Sequence, residues 1–299
     1  MATVKTFAGP QDWNLFSYVM EKHQRCARGS MLIMSYLQQM FLYPTKFETA
    51  LYASQLLQGE AIRYGVEHFR RIRGVCMGAV YWQLKRLLAR GQLGLHRLHR
   101  PLEGPALLRQ AVLRPVLLSC CEEGLLSQDP FVNARPYEVE KSIRLNVANE
   151  TRQERQLTVC WSLRDASSRV IGEEHRQQVT VPALSALWLE KVELPQADLF
   201  AHHVYYSCCE GERLLSEGTV LFSMPKFYQY QDPRLTVRAE GDELVVSAAA
   251  YAASVEVQNE NQDLLLSDNY FDMEAGEKRV KILSGSPEGL RIRSVYDIR

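Results

Sequence analysis

The chain has 299 residues, of which 46% are hydrophobic, and its 35 Lys and Arg balance 35 Asp and Glu. That length suits two or three domains with cores of their own. The zero formal charge gives no electrostatic case for a nucleic-acid partner or an anionic membrane surface, and no apolar run approaches the ~20 residues of a membrane helix.

The opening MATVKTFAGPQDW has neither a basic start nor an apolar core. No signal peptide is therefore expected, and a cytoplasmic location is. Seven cysteines occur, Cys26, Cys76, Cys120, Cys121, Cys160, Cys208 and Cys209, with no C-x-x-C pair. An odd count without metal spacing predicts reduced thiols and no structural metal. The adjacent pairs Cys120-Cys121 and Cys208-Cys209 lie in strand-like sequence, so their members should face opposite ways, as core thiols rather than ligands.

Residues 11 to 73 read as helices. In the longest, Phe47, Ala50, Leu51, Leu57, Ile62, Val66 and Phe69 keep an approximate helical stripe. Pro44 and Thr45 suit its start, and Arg70, Arg71 and Arg73 suit the negative end of its dipole. Val75 to Trp82 (VCMGAVYW) is a short apolar run that predicts a buried strand, as in a parallel sheet. Helix followed by buried strand is an α/β signature.

Residues 85 to 114 break the composition, with nine Leu, six Arg, one Lys and a single acid, Glu103. Taken alone they would be a basic, Leu-rich arm able to touch nucleic acid or a membrane. Gly91, Gly94, Pro101, Gly104 and Pro105 argue against one continuous helix.

From Val116 onward strand follows strand. Ile143, Leu145 and Val147 alternate with Arg144 and Asn146, and Leu157, Val159, Trp161 and Leu163 alternate likewise, as do Val179 and Val181 before Pro182. After the polar linker Tyr228 to Pro233 comes a second set: Leu235 and Val237, Leu244 and Val246, Val255 and Val257, then Leu290, Ile292 and Val295. Period-two alternation marks half-buried antiparallel strands. Turn signals at Glu240-Gly241-Asp242, Gly276 and Ser284-Gly285-Ser286-Pro287 separate them. Two β-sandwiches of roughly 110 and 70 residues are the economical reading.

Several motifs carry a family resemblance. Tyr52-Ala-Ser-Gln-Leu-Leu-Gln58, Glu60-Ala-Ile-Arg-Tyr-Gly-Val-Glu-His68 and Met77-Gly-Ala-Val-Tyr-Trp-Gln83 resemble the end of the catalytic (β/α)8 barrel of bacterial β-mannosidases of glycoside hydrolase family 2. Ser267-Asp-Asn-Tyr-Phe-Asp-Met273, Gly276-Glu277, Val280-Lys281-Ile282 and the ending Arg293-Ser-Val-Tyr-Asp-Ile-Arg299 resemble the last immunoglobulin-like domain of the same enzymes. The resemblance covers nearly the whole chain apart from residues 85 to 114. It implies an α/β part followed by an all-β part: a (β/α)8 barrel remnant at 1–84, a β-sandwich at 115–227 and an immunoglobulin-like sandwich at 228–299.

In the family, Trp-Gln-Leu continues as Asn-Asp-Cys-Trp-Pro. Here Trp82-Gln83-Leu84 is followed by unrelated sequence as far as Pro115. Written in ordinary GC-rich codons and displaced by one base, the family stretch spells Lys85-Arg-Leu-Leu-Ala-Arg-Gly-Gln-Leu93. Its far end displaced in the same way spells Gln110-Ala-Val-Leu-Arg114. Residues 85–114 are thus identified as a frameshifted stretch, which accounts for the excess of Leu and Arg.

The resemblance implies a retaining β-mannosidase acting on terminal, non-reducing β-D-mannose, with a β-mannoside as partner and no cofactor, because two carboxyl groups about 5–5.5 Å apart suffice. Both catalytic glutamates are expected N-terminal to Met1, which leaves this chain without them. Trp82 is implied as the platform stacking on the sugar, with Gln83 beside it hydrogen-bonding substrate or its neighbours. Other carboxylates are decoys. Asn149-Glu150 and Asn259-Glu260 lie in sandwich sequence, and Asn149-Glu150-Thr151 is also a glycosylation sequon. Glu67-His68 is expected on a solvated helix face rather than at a metal, and Glu60 on the helix surface. The rival reading is a non-catalytic β-sandwich that binds glycans or a protein, or a piece of another family 2 glycosidase.

Overall fold

The computed structural model describes residues 1–23, 28–80, 112–123 and 140–298. They fall into two compact units. Among the described residues, one unit contains 1–63, 80 and 232–298, and the other 64–79, 112–123 and 140–231.

The N-terminal part is helical: α1 (Ala2–Lys5), α2 (Tyr18–His23), α3 (Gly29–Met40) and α4 (Phe47–Arg71). A small apolar cluster of Val4, Ala8 and Met20 forms with Trp13, Phe47 and Leu51. The buried line of α4 differs from the expected stripe. Ala50 and Val66 are buried as expected, but the line also takes in Tyr52, Ala53, Leu56 and Glu67, and Phe69 is exposed. Apolar spacing misplaced part of the line because Tyr52 and Glu67, which carry polar ends, find partners and go inside.

The strand expected from Val75 is not formed over its described part. Backbone N–H groups of Val75 and Cys76 donate to the Ile72 carbonyl, and residues 76–80 have no regular structure. Val75, Met77 and Val80 are exposed. A buried strand needs neighbours on its edges and faces, and no other strand occurs among described residues 1–80.

The first sandwich contains β1 (Val116–Glu123), β2 (Ser142–Asn149), β3 (Arg155–Asp165), β4 (His175–Val181), β5 (Ser185–Glu193), β6 (His202–Glu210) and β7 (Arg213–Leu221). Two antiparallel sheets, ordered β1-β2-β5 and β4-β3-β6-β7, enclose a core of Ile143, Leu145, Val147, Leu157, Val159 and Val204 among others. The alternation read from sequence places these residues inward. Asn146 is the exception, because it is fully buried although it sits on the outward register with Arg144. Cys120 and Cys208 are buried and Cys121 and Cys209 half-buried, and the six described cysteines are free thiols.

The second sandwich contains β8 (Thr236–Glu240), β9 (Glu243–Ala248), β10 (Ala252–Gln258), β11 (Leu265–Leu266), β12 (Phe271–Met273), β13 (Gly276–Ser284) and β14 (Arg291–Arg293). Its sheets are β12-β10-β14 and β11-β13-β9-β8. They pack around Leu244, Val246, Val255, Val257, Phe271 and Val280. The Gly241-Asp242 turn joins β8 to β9 with Glu240 paired to Glu243, and Gly241 takes the left-handed conformation (φ +64°) that such turns favour. At Gly285 (φ +93°) a Cβ would lie 2.6 Å from the Asp263 carbonyl oxygen. This turn therefore admits only glycine.

Candidate functional site

Trp82 and Gln83, the residues expected to face substrate, lie outside the described residues, as does the stretch 85–114 expected to be frameshifted except for its end, Val112 to Arg114. Val112 is buried, its carbonyl accepts a 2.6 Å hydrogen bond from Arg70 Nη1, and Arg114 Nη1 donates to the Leu215 carbonyl at 3.1 Å.

Arg70 and Arg71 stand in the last turn of α4, where the helix dipole favours cations, and with Arg73 just beyond it they also act as anchors. Arg71 donates through Nε to Ser119 Oγ at 3.0 Å, and through Nη2 to Glu67 Oε2 at 2.8 Å and the Cys120 carbonyl at 3.0 Å. The pair is buried, with 6% of each side chain exposed. Glu67 is thus not on a solvated face: its spacing of four residues from Arg71 makes an intrahelical ion pair, and both dock on β1. Arg73 donates to the Leu184 carbonyl at 2.6 Å and to Glu150. Arg70 lies 3.9 Å from the same Glu150, and burial pulls its guanidinium below the ordinary arginine value. Its Nε and Nη2, like both amide atoms of Asn146, are buried without a hydrogen-bond partner among the described residues.

The decoy carboxylates are structural. Asn149 is fully buried. Its amide nitrogen donates to the carbonyls of Gln153, Val181 and Pro182, and its oxygen accepts from the Thr151 N–H and hydroxyl. That set closes a turn beside β2 and leaves no free amide for a glycan. Asn259 does the same in the second sandwich, accepting from the Asp263 N–H at 3.1 Å and donating to the Ser286 carbonyl at 2.8 Å. Glu260 beside it is exposed. Glu60 accepts from Arg63 at 2.6 Å. Among the described residues no group of three or more His, Cys, Asp and Glu side chains forms a metal site.

A second polar cluster gathers the Ser267–Met273 motif, where sequence reasoning saw a signature without a role. Ser267 exchanges hydrogen bonds with Lys281. Asp268 lies 3.2 Å from Lys278. Asn269 stands in for a strand neighbour, its amide pairing both the N–H and the carbonyl of Val257 at 2.8 Å. Asp272 accepts from the Ser254 N–H at 2.9 Å. Phe271 and Met273 fill the core. Tyr270 points to Glu256, which also accepts from Arg293. Burial, then the Glu256 carboxylate, push the Tyr270 phenol well above its ordinary value. The Arg293 guanidinium lies over the Tyr52 ring, 4.2 Å from its centroid, and the Tyr52 hydroxyl donates to the Ser254 carbonyl at 2.6 Å. No feature of the isolated sequence pairs Tyr52 with residues two hundred positions away.

Comparison with known proteins follows the same division. The domain family described as "Mannosidase Ig/CBM-like domain" matches residues 141–226, and one described as an Ig-fold domain of mannosidases matches residues 230–298. A search of curated proteins gives no match. Among solved structures, the β-D-mannosidase of Dictyoglomus thermophilum is similar over 98% of this chain and 35% of its own, with a TM-score of 0.80 and 17% identity. The exo-chitosanase CsxA of Amycolatopsis orientalis is similar over 98% of this chain and 41% of its own, with a TM-score of 0.68 and 12% identity. At these identities the likeness is one of fold. The chain spans 35% and 41% of the length of those two proteins.

Proposed function

We propose that this chain, whose residues 141–226 and 230–298 are mannosidase-type immunoglobulin domains, is the C-terminal part of a retaining β-mannosidase of glycoside hydrolase family 2. The intact parent would hydrolyse terminal, non-reducing β-D-mannosyl residues. Its nucleophile and acid/base carboxylates would come from barrel strands preceding Met1. Residues 1–84 are the closing part of that barrel, and Trp82 with Gln83 is its contribution to the sugar wall. One observation carries the reading: the structural match to a β-D-mannosidase covers 98% of this chain with a TM-score of 0.80. A free-standing sandwich module would not need the helices of residues 1–71.

The sugar assignment rests on the sandwich type and the motif resemblance, and sandwiches do not set glycosidase specificity. The test is therefore a panel. The intact parent is assayed against aryl β-mannoside, β-glucosaminide, β-galactoside and β-glucuronide. A preference for the mannoside of at least about a hundredfold in kcat/KM is expected, an energy difference of about 2.7 kcal/mol. Preference for any other member of the panel overturns the mannosidase reading while leaving the family in place.

A further inference from the structure

The second sandwich builds its apolar core from its own strands, with Leu244, Val246, Val255, Val257, Phe271 and Val280 at the centre. Tyr52 lies outside that cluster, yet it is 2% exposed. What surrounds it is polar and aromatic: the Ser254 carbonyl at its hydroxyl, Arg293 over its face and the Tyr270 ring at 6.4 Å, inclined by 27°. Glu256 holds both Arg293 and Tyr270, and Gln258 Nε2 adds a third donor at 3.3 Å.

The backbone under this contact is unusual. Ser254 has φ +52° and Tyr270 has φ +61°, and neither is a glycine. The strand β10 shifts register between Ala252 and Val255, so Ser254 sits in an irregularity that turns its carbonyl toward Tyr52. Left-handed conformations at non-glycine residues cost on the order of 1–3 kcal/mol each and persist where the surroundings hold them, commonly at ligand clamps. Two of them bracket the Tyr52 contact.

We propose that Ser254, Glu256, Tyr270 and Arg293 form a receptor site on the second sandwich whose ligand is the phenol of Tyr52, and that this site latches the 47–63 part of α4 to a sandwich able to stay folded when the latch opens. The receptor reads two features of the phenol: an O–H donated to one carbonyl, and a π face presented to a guanidinium. Phenylalanine keeps only the second. The inference concerns this chain's own packing and stands whether or not the parent is a mannosidase.

The experiment is hydrogen exchange followed by mass spectrometry on the full chain, comparing wild type with Tyr52→Phe and Arg293→Gln. Loss of one net hydrogen bond corresponds to about fivefold to tenfold faster exchange. Tyr52→Phe should show this in peptides covering 47–63, 252–256 and 269–272, and Arg293→Gln, which removes the cation over the ring and its pair with Glu256, should speed exchange in the same peptides. Peptides covering 243–248 and 276–284 should keep wild-type rates. Faster exchange throughout 232–298 would make Tyr52 part of the sandwich core and overturn the latch. Unchanged exchange in 47–63 in both variants would overturn it as well. Tyr52→Ala supplies a third reading for a small Phe effect: it should release 47–63 fully while 243–248 and 276–284 remain protected, and unfolding of the sandwich in this variant would also sink the proposal.

Discussion

At the scale of single residues, buried polar groups in this chain do the work of turns and edges. Asn149 satisfies three carbonyls and accepts from the turn that follows it. Asn149→Ala strands those carbonyls, and Asn149→Asp removes the donor and adds a charge. Each should lower stability by about 2–3 kcal/mol, read as a drop in urea midpoint with unchanged slope; a loss below about 0.5 kcal/mol would show that water replaces the amide. Cys208 gives a pH-dependent counterpart. Burial, and then the thiol of Cys209, push it from 9.0 up to about 12. Below about pH 9 the thiol is protonated in both states, so its contribution is fully present. Between about pH 9 and 12 the unfolded chain has lost a proton that the folded chain keeps. Stability therefore falls as pH rises through that window, by up to about 1.4 kcal/mol per unit for this one group. Cys120 shifts in the same direction. Cys208→Ala should be less stable at pH 8 yet show a shallower decline from pH 9 to 10.5 in denaturant titrations. An equal slope in both proteins would show that Cys208 ionises normally when folded.

At the scale of elements, legibility followed how local the governing contact is. The alternation in β2 and β3 put Ile143, Leu145, Leu157 and Val159 inside because each needs only its own face of a sheet. Glycine turns were legible for the same reason, since Gly241 and Gly285 answer to the local backbone. Glu67 was misread because the pair it makes with Arg71 is carried inside by contacts distant in sequence, the Arg71 bonds to Ser119 and the Cys120 carbonyl. The segment after α4 failed in the opposite way. Its composition says strand, but a strand is a property of its neighbours. The Arg71–Glu67 pair is what an apolar-stripe reading cannot see, and it makes the end of α4 sensitive. Arg71→Ala leaves a carboxylate with 6% of its side chain exposed without its cation, at a cost of about 3–5 kcal/mol. The double change Arg71→Met with Glu67→Leu should cost clearly less, because neither charge is then buried alone. If the double variant were as unstable as the single one, the hydrogen bonds to Ser119 and the Cys120 carbonyl, rather than charge balance, would dominate the anchor.

At the scale of the whole molecule, the proposed identity has a direct consequence for activity. Retaining glycosidases need a nucleophile at the anomeric carbon and an acid for the leaving oxygen, about 5–5.5 Å apart. The carboxylates singled out on α4 and beside β2 are committed elsewhere: Glu60 to Arg63, Glu67 to Arg71 and Glu150 to Arg70 and Arg73. Each of the three is thus engaged in an ion pair of the chain's own packing. Glu260 lies in the second sandwich, in a turn organised by Asn259. Sugar stacking at Trp82 would supply binding, but binding alone leaves the covalent step without its nucleophile. The purified chain should therefore release no chromophore from an aryl β-mannoside above the buffer rate, while the intact parent does. Removing a catalytic carboxylate costs orders of magnitude rather than a small factor. Turnover by the chain within about a hundredfold of the parent, abolished by Glu60→Gln or Glu67→Gln, would place the reacting groups in this part of the molecule and require a different mechanism.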